Sequence, residues 1–438
     1  MRTVKTRLLT SVVFGAAVGA LAMSGLSSAG AAAALDEGVS ANGIKIGYIT
    51  SMTGVAGSDT GNAATGCQAR VGRENDKGGV NGRKLDVIYV DDQSSGANKT
   101  AAQDLVQNKH VFMVVDNSAF AFLTYQFLLD SGVPMVGGGY DGTYYGAPGN
   151  ENILSPSGNM INDDPQSRHA NTRTYDTVAK VMKKMGATKV AALAHDIAPS
   201  SISSAENLQK FAVPEVGLKP VYTNTTVDWG STAVGPQVLG IKNAGANAIY
   251  LPLVANSAIA VVQGLAQNGV PMKSTILDDA YGQSFLDHPG AKTFGPEVLL
   301  ATGWAPVELK TKATKQFQAD LKKYAGFTGV PDFGYYSGYI ACDMTIVGLQ
   351  HAGKPPTRAA FAPNLRKLGT YDQAGLACHP VDISAATYGQ AKDSNCSWYV
   401  QIKNGKFVPF PANGKPWTGK LIAASTGTTT TTTAPRGQ

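Results

Sequence analysis

Between Gly43 and Asp278, short runs of β-branched and apolar residues alternate with segments of helical spacing, and this alternation restricts the fold more than any other feature of the chain. "GIKIGYIT" (43–50), "KLDVIYVDD", "VFMVV" and "VPMVGG" have the length and residue types of buried strands. The segments between them predict helices: "GNAATGCQARVGREN" closed by Gly78 and Gly79, then one at about 98–108 and one at about 119–131. A second series follows "ILSPS", with helices expected at about 167–185, 203–213, 232–243 and 257–267, separated by the strands "KVAALAHD", "KPVYTNTTV", "NAIYLPLV" and "STILDD". Repeated strand–helix units imply parallel sheets covered by helices on both faces. A chain of 438 residues exceeds what one core carries, roughly 250 to 300, so two doubly wound α/β domains are expected. The last third supplies a strand near 297–303, the helices "KATKQFQADLKKYAG" and "YYSGYIACDMTIVGLQHAG", and a hairpin "SWYVQIKNGKFVPF" turned at Asn404 and Gly405, pieces that complete the two sheets.

The first 34 residues have the pattern of an export signal: Arg2, Lys5 and Arg7, an apolar run from Leu8 to Met23, then small residues ending "SAGAAAA". The chain is expected outside the cytoplasm, without a membrane-spanning segment, and no cysteine follows the apolar run to carry a lipid. Without the signal, 34 basic residues face 31 acidic ones, a net charge near +3 that predicts no nucleic-acid partner. Lys180, Lys183 and Lys184 read as the solvated face of a helix. The end "STGTTTTTTAPRGQ", within 424–438, has no apolar face and reads as a flexible tail.

Four cysteines in an exported chain favour disulfides, and three pairings are available. Cys378 with Cys396 is the first choice, since it closes a local loop that has neither helical nor strand periodicity. Cys67 and Cys342, both in helical patterns, are then either a second disulfide or two buried thiols.

"VDNSAFA" (115–121) recurs as "VANSAIA" (254–260), each read as the end of a strand and the start of a helix. Asn117 or Ser118, and Asn256 or Ser257, are placed to cap those helices, beyond the carboxyl ends of strands where open parallel sheets bind ligands. First-turn N–H groups there form a receptor for a small polar or anionic group.

Enzyme patterns fit poorly. The glycines of "SMTGVAGSDTG" are spaced G-x-x-G-x-x-x-G, and Asp91 and Asp92 lie further on than a ribose-binding acid should, so an NAD-dependent oxidoreductase is disfavoured. No Gly-x-Ser-x-Gly elbow or His-Glu-x-x-His pair occurs. His195 with Asp196 reads as a polar strand end, Asp163 and Asp164 as a cap or turn, and His110, His288 and His379 as solvated. No catalytic residue, metal or cofactor is assigned.

The order of elements, the export signal and two stretches, "IKIGYITSMTGVAGSDTGNAATGCQ" and "ENDKGGVNGRKLDVIYVDDQS", together resemble the type I periplasmic solute-binding proteins of branched-chain amino acid ABC transporters. The resemblance spans about 44–410 and is most specific in its first ~100 residues. It implies two doubly wound lobes joined by a three-segment hinge, lobe one at about 41–155 plus 303–395 and lobe two at about 156–302 plus 396–411, closing on a ligand between them. The family's carboxylate-binding serine falls on Ser118, and its backbone and hydroxyl contacts fall on Gly139 and Asp141. Its amine-binding acid falls on Asp279 or the neighbouring Asp278. Asp59 stands where the family has an aromatic cover, and Ser200 where it often has tyrosine.

With Asp59 and Asp141 in those places the expected cleft is acidic, suited to a small polar solute carrying an amine, amide or hydroxyls, with Tyr140, Tyr144, Tyr145 and Tyr281 as candidate walls. The function expected is therefore non-enzymatic: a monomeric, exported binding protein handing its solute to ABC permease subunits. A sensor of the same fold without a transporter is the alternative, and neighbouring permease and ATPase genes would distinguish the two.

Overall fold

The computed structural model describes residues 35–138, 144–145, 149–158, 173–278, 280–384 and 394–423. The expected export signal, Gly139, Tyr140, Asp141, Asp163, Asp164, Asp279 and the threonine tail lie outside the described residues. No described helix is long and apolar enough to cross a membrane.

The first series runs β1 (Gly43–Thr50), α1 (Gly57–Thr60), α2 (Ala63–Asp76), β2 (Lys84–Asp91), α3 (Ala97–Gln107), β3 (Met113–Asp116), α4 (Tyr125–Asp130), β4 (Met135–Gly137) and β5 (Ile153–Leu154). Its strands pair in parallel in the order β2-β1-β3-β4-β5. Alternation along β1 sends Ile44, Ile46 and Tyr48 to one face and Ile49 to the other, so both faces bury apolar side chains.

The second series runs β6 (Arg173–Tyr175), α5 (Thr177–Lys184), β7 (Lys189–His195), α6 (Pro199–Asn207), α7 (Val213–Glu215), β8 (Lys219–Val227), α8 (Gly235–Asn243), β9 (Ala248–Leu251), α9 (Ala255–Gln267), β10 (Ser274–Leu277), α10 (Gln283–Asp287) and β11 (Val298–Thr302). Then come α11 (Lys312–Ala325), α12 (Phe333–His351), α13 (Arg358–Arg366), the small pair β12 (Thr370–Tyr371) and β13 (Val381–Asp382), and finally β14 (Ser394–Lys403), β15 (Lys406–Phe410) and β16 (Trp417–Ala423). In the second sheet β8-β7-β9-β10-β11 are parallel, β14, β16 and β6 extend it antiparallel, and β15 folds back on β14. The β14–β15 turn places Asn404 and Gly405 at φ of 53° and 69°, the left-handed pair that a two-residue hairpin requires. The fold is thus α/β with two lobes, each built on one mainly parallel sheet.

In the last third, strands β11, β14, β15 and β16 all join the second sheet, whereas α11 and α12 pack on α2 beside the first. Three expectations are corrected. Residues 173–175 are a strand, not part of a helix starting near 167, because they pair with β16, a strand the sequence reading had not assigned. The helix expected at 119–131 is a 3-10 turn (Ala121–Leu123) followed by the six-residue α4. The helix expected at 203–213 starts at Pro199, whose fixed φ suits a first helical position, and loosens into a π turn at 208–212.

Helices α2 and α12 touch backbone to backbone. A Cβ on Gly338 would stand 1.8 Å from the Ala63 carbonyl oxygen, and one on Gly66 would stand 2.2 Å from that of Tyr335, so each glycine is required by close approach. The Cys67–Cys342 disulfide joins the same two helices, with Cα atoms 5.2 Å apart, and the second disulfide joins Cys378 and Cys396. Arg70 on α2 also donates to Asp343 on α12 at 2.6 Å, a buried, charge-assisted contact.

Candidate functional site

The parallel strands of both sheets end at one cleft, which encloses a cavity of about 440 Å³. One wall comes from residues just past β1, β3 and β4, including Asp59, Ala119 and Gly138. The facing wall comes from the ends of β7 to β10, including His195, Trp229, Val254 and Asp278. Trp304 on the chain returning from β11, and Phe333 and Tyr336 on α12, close it. Convergence of strand carboxyl ends is where such sheets place ligands, and this volume suits a small molecule.

Five aromatic side chains line the cavity, and most have their polar edges already engaged. Trp304 Nε1 donates to Gln373 Oε1 at 2.5 Å, and the Trp304 ring stacks on Tyr336 with planes 7° apart. Tyr336 donates to the Ala305 carbonyl at 2.9 Å, and Tyr281 donates to Glu308 at 2.8 Å. Burial raises both tyrosines well above the ordinary phenol range and raises Glu308 above the ordinary carboxyl range. Trp229 differs: its Nε1 is buried without a partner.

His195 is buried at the end of β7 with both ring nitrogens occupied. Nε2 accepts from the Val254 amide at 3.0 Å, so Nδ1 carries the proton and donates to the Val227 carbonyl at 3.1 Å. Burial lowers its pKa, which keeps the imidazole neutral. Asp278 accepts from the Tyr250 hydroxyl at 2.5 Å, and burial raises its pKa.

Beneath the first wall lies a buried polar layer. Ser118 is 1% exposed; its hydroxyl donates to Asp92, and its oxygen accepts from the Phe120 amide at 3.0 Å. Ser51 donates to the other Asp92 oxygen at 2.7 Å, and Asn98 bridges Asp92 and Asp116 at 3.0 and 3.1 Å. Asp116 has one oxygen buried without a partner, and burial pushes its pKa well above the carboxyl range. Asn117 ties Tyr48 on β1 to Ser337 on α12, at 3.0 and 3.1 Å.

Of the expected site residues, Asp59 and Ser200 line the cavity. Ser118 sits one residue behind the lining residue Ala119, bound to Asp92. Gly139, Asp141 and Asp279 fall outside the described residues, whereas Asp278 lines the cavity. Tyr281 lines it too, but Tyr144 and Tyr145 are buried beside Tyr125 in a core under the first sheet. Asn256 lies elsewhere: it is exposed and lines a separate groove with Thr232, Gln263 and His288.

The register of the repeated heptapeptide explains that difference. Val115 lies inside β3, whereas Val254 lies beyond β9 and precedes the first turn of α9, so the two copies occupy different places and Asn256 turns outward. Neither copy caps a helix through its side chain.

The residues the sequence reading missed are the walls: Trp229, Trp304, Phe333 and Tyr336. A usable signal existed for two of them, since the tryptophans of "VDWG" and "ATGW" each stand two residues past a strand of the parallel series.

Comparison with known proteins agrees with this geometry. The family described as periplasmic binding protein matches residues 43–406. No curated protein sequence matches. Among solved structures, a solute-binding protein of an R. palustris ABC transporter, in complex with 4-hydroxybenzoate, is similar at 21% identity and TM-score 0.67, covering 87% of this chain and 96% of that one. A leucine-binding protein from Thermotoga maritima is similar at 19% identity and TM-score 0.66, covering 84% and 97%. A fatty acid ABC transporter substrate-binding protein from Thermomonospora curvata is similar at 16% identity and TM-score 0.67, covering 90% and 95%. These likenesses are of fold, and their ligands differ. With 43–406 matched and the cleft between two parallel sheets in place, the chain belongs to the periplasmic binding protein family.

Proposed function

We propose that this protein is the extracytoplasmic capture component of an ABC importer, binding a small solute between its lobes and presenting the closed form to permease subunits. The observation that carries the reading is the cavity of about 440 Å³ lined by the strand ends of both sheets at once. A ligand that touches both walls favours closure, because only contacts that differ between open and closed states shift their populations. Export is supported by the signal-like first 34 residues and by two disulfides.

The solute carries amine, amide or hydroxyl donors, for which Asp59 and Asp278 are acceptors, on a body that packs against aromatic faces. By the family resemblance Gly139, Asp141, Asp279 and Ser200 are assigned to solute contact, with Ser118 in the floor behind Ala119. A thermal-shift screen of amino acids, amides, amines and polyols tests the reading. Stabilisation by donor-bearing solutes is expected; equal stabilisation by leucine and valine would remove the polar-solute assignment.

A further inference from the structure

Gln373 lines the cavity yet is only 5% exposed, and its backbone is strained. φ is 53° at Gln373 and 58° at Ala374, in the left-handed region that residues with a side chain enter at a cost. Asparagine or glycine would sit there more easily, but neither has the reach of glutamine. That reach is used twice. Oε1 accepts from Trp304 Nε1 at 2.5 Å, and Nε2 donates to the Pro156 carbonyl at 2.8 Å.

The two partners belong to different passages of the chain between the sheets. Pro156 follows β5 as the chain leaves the first sheet, and Trp304 follows β11 as it leaves the second. One side chain therefore fastens both passages together, beside the lining residues Ser157 and Gly303. The backbone supports the same arrangement, since the Ala305 amide donates to the Leu376 carbonyl at 2.8 Å and Trp304 bridges to Ala377. An indole has a single N–H, so this bond and the stack on Tyr336 together fix how the Trp304 ring stands in the cavity wall. We propose that Gln373 is a positioning residue for solute capture, holding the Trp304 indole in the wall and fixing its place relative to Pro156. The inference rests on the solute-binding reading above and adds to it a residue that acts through another.

The test compares three variants of the full chain. Gln373→Asn relaxes the backbone but falls short of both partners; Gln373→Glu keeps an acceptor for the indole at the same reach; Trp304→Phe keeps a ring without the N–H. Acrylamide quenching of tryptophan fluorescence reads the exposure of Trp304, one of four tryptophans, and calorimetric titration with glutamine, leucine, benzylamine and benzoate reads capture. Gln373→Asn is expected to raise quenching and to weaken whichever probe the parent binds about tenfold, and Gln373→Glu to recover most of both. Trp304→Phe should match Gln373→Asn in affinity, and the double variant should be no weaker than either alone, since both remove the same bond. Parent-like quenching or parent-like affinity in Gln373→Asn overturns the assignment. So does a rise in quenching that persists when Gln373→Asn is made in Trp304→Phe, or additive losses in the double variant. If the parent binds none of the four probes, the solute-binding reading loses its support, and quenching alone upholds or overturns the hold of Gln373 on Trp304.

Discussion

The imidazole of His195 lies against the indole of Trp229, with ring centroids 5.0 Å apart and planes 20° apart, so a strand end of the second lobe and the loop past its neighbour form one continuous surface of the cleft. This stack depends on a neutral ring, because a proton on Nε2 would remove the acceptor for the Val254 amide. Burial holds the folded pKa below the ordinary 6.5, so on acidification the unfolded chain takes up this proton first. Stability from His195 is therefore complete above about pH 6.5 and is lost as pH falls from there through the folded value. The melting temperature is expected to drop between about pH 7 and pH 5, and His195→Gln should lose part of that pH dependence. A variant with the same slope as the parent would show that His195 is not the titrating group.

Ser118 and Asn256 make a matched pair of tests. Ser118→Ala strips one donor from the buried Asp92 carboxylate and is expected to cost about 1 to 3 kcal/mol of folding stability, read from denaturant midpoints. Asn256→Ala alters only the separate groove and should leave solute affinity within about twofold of the parent. Loss of affinity in Asn256→Ala would place that groove, or α9, in the binding cycle.

Gly338→Ala is expected to destabilise by about 1 to 3 kcal/mol, because its methyl would meet the Ala63 carbonyl oxygen 1.8 Å away and force α2 from α12. The same substitution should weaken solute binding, since α12 carries Phe333 and Tyr336 and α2 begins three residues after Thr60. Parallel thermal and binding titrations check both, and an unchanged melting temperature would mean that the helices relax without cost.

The disulfides should differ in weight. Cys67 and Cys342 are 275 residues apart, Cys378 and Cys396 only 18. In the chain-entropy limit the first contributes about 5 to 6 kcal/mol and the second about 3. Double serine variants compared by chemical denaturation are expected to rank in that order, and the reverse order would point to structure retained in the unfolded chain.

The sheets were legible because buried parallel strands leave mainly apolar runs, as in "VFMVV" and "NAIYLPLV". The hairpin at Asn404 and Gly405 was legible because few residue pairs tolerate two left-handed dihedrals. Helix ends were harder: Pro199 starts a helix that apolar spacing alone placed later, and nothing local to 173–175 announces its pairing with β16. The site was readable only where position follows from a strand end. Asp59, Ser200 and Asp278 follow from that rule, as Trp229 and Trp304 would have. Phe333 and Tyr336 do not, since α12 is held at the cleft by long-range contacts, with α2 and with Asn117, that no local pattern announces. The repeated heptapeptide misled for the same reason, because like letters at a different offset from the strand put the side chains on different surfaces.

Cys378 follows Ala377, which bridges to Trp304 on the chain returning from β11, and Cys396 sits in β14 of the second sheet. Their bond, with Cα atoms 6.4 Å apart, fastens the segment that bridges to Trp304 onto the second sheet, so this wall of the cavity is braced by a covalent link as well as by backbone pairing.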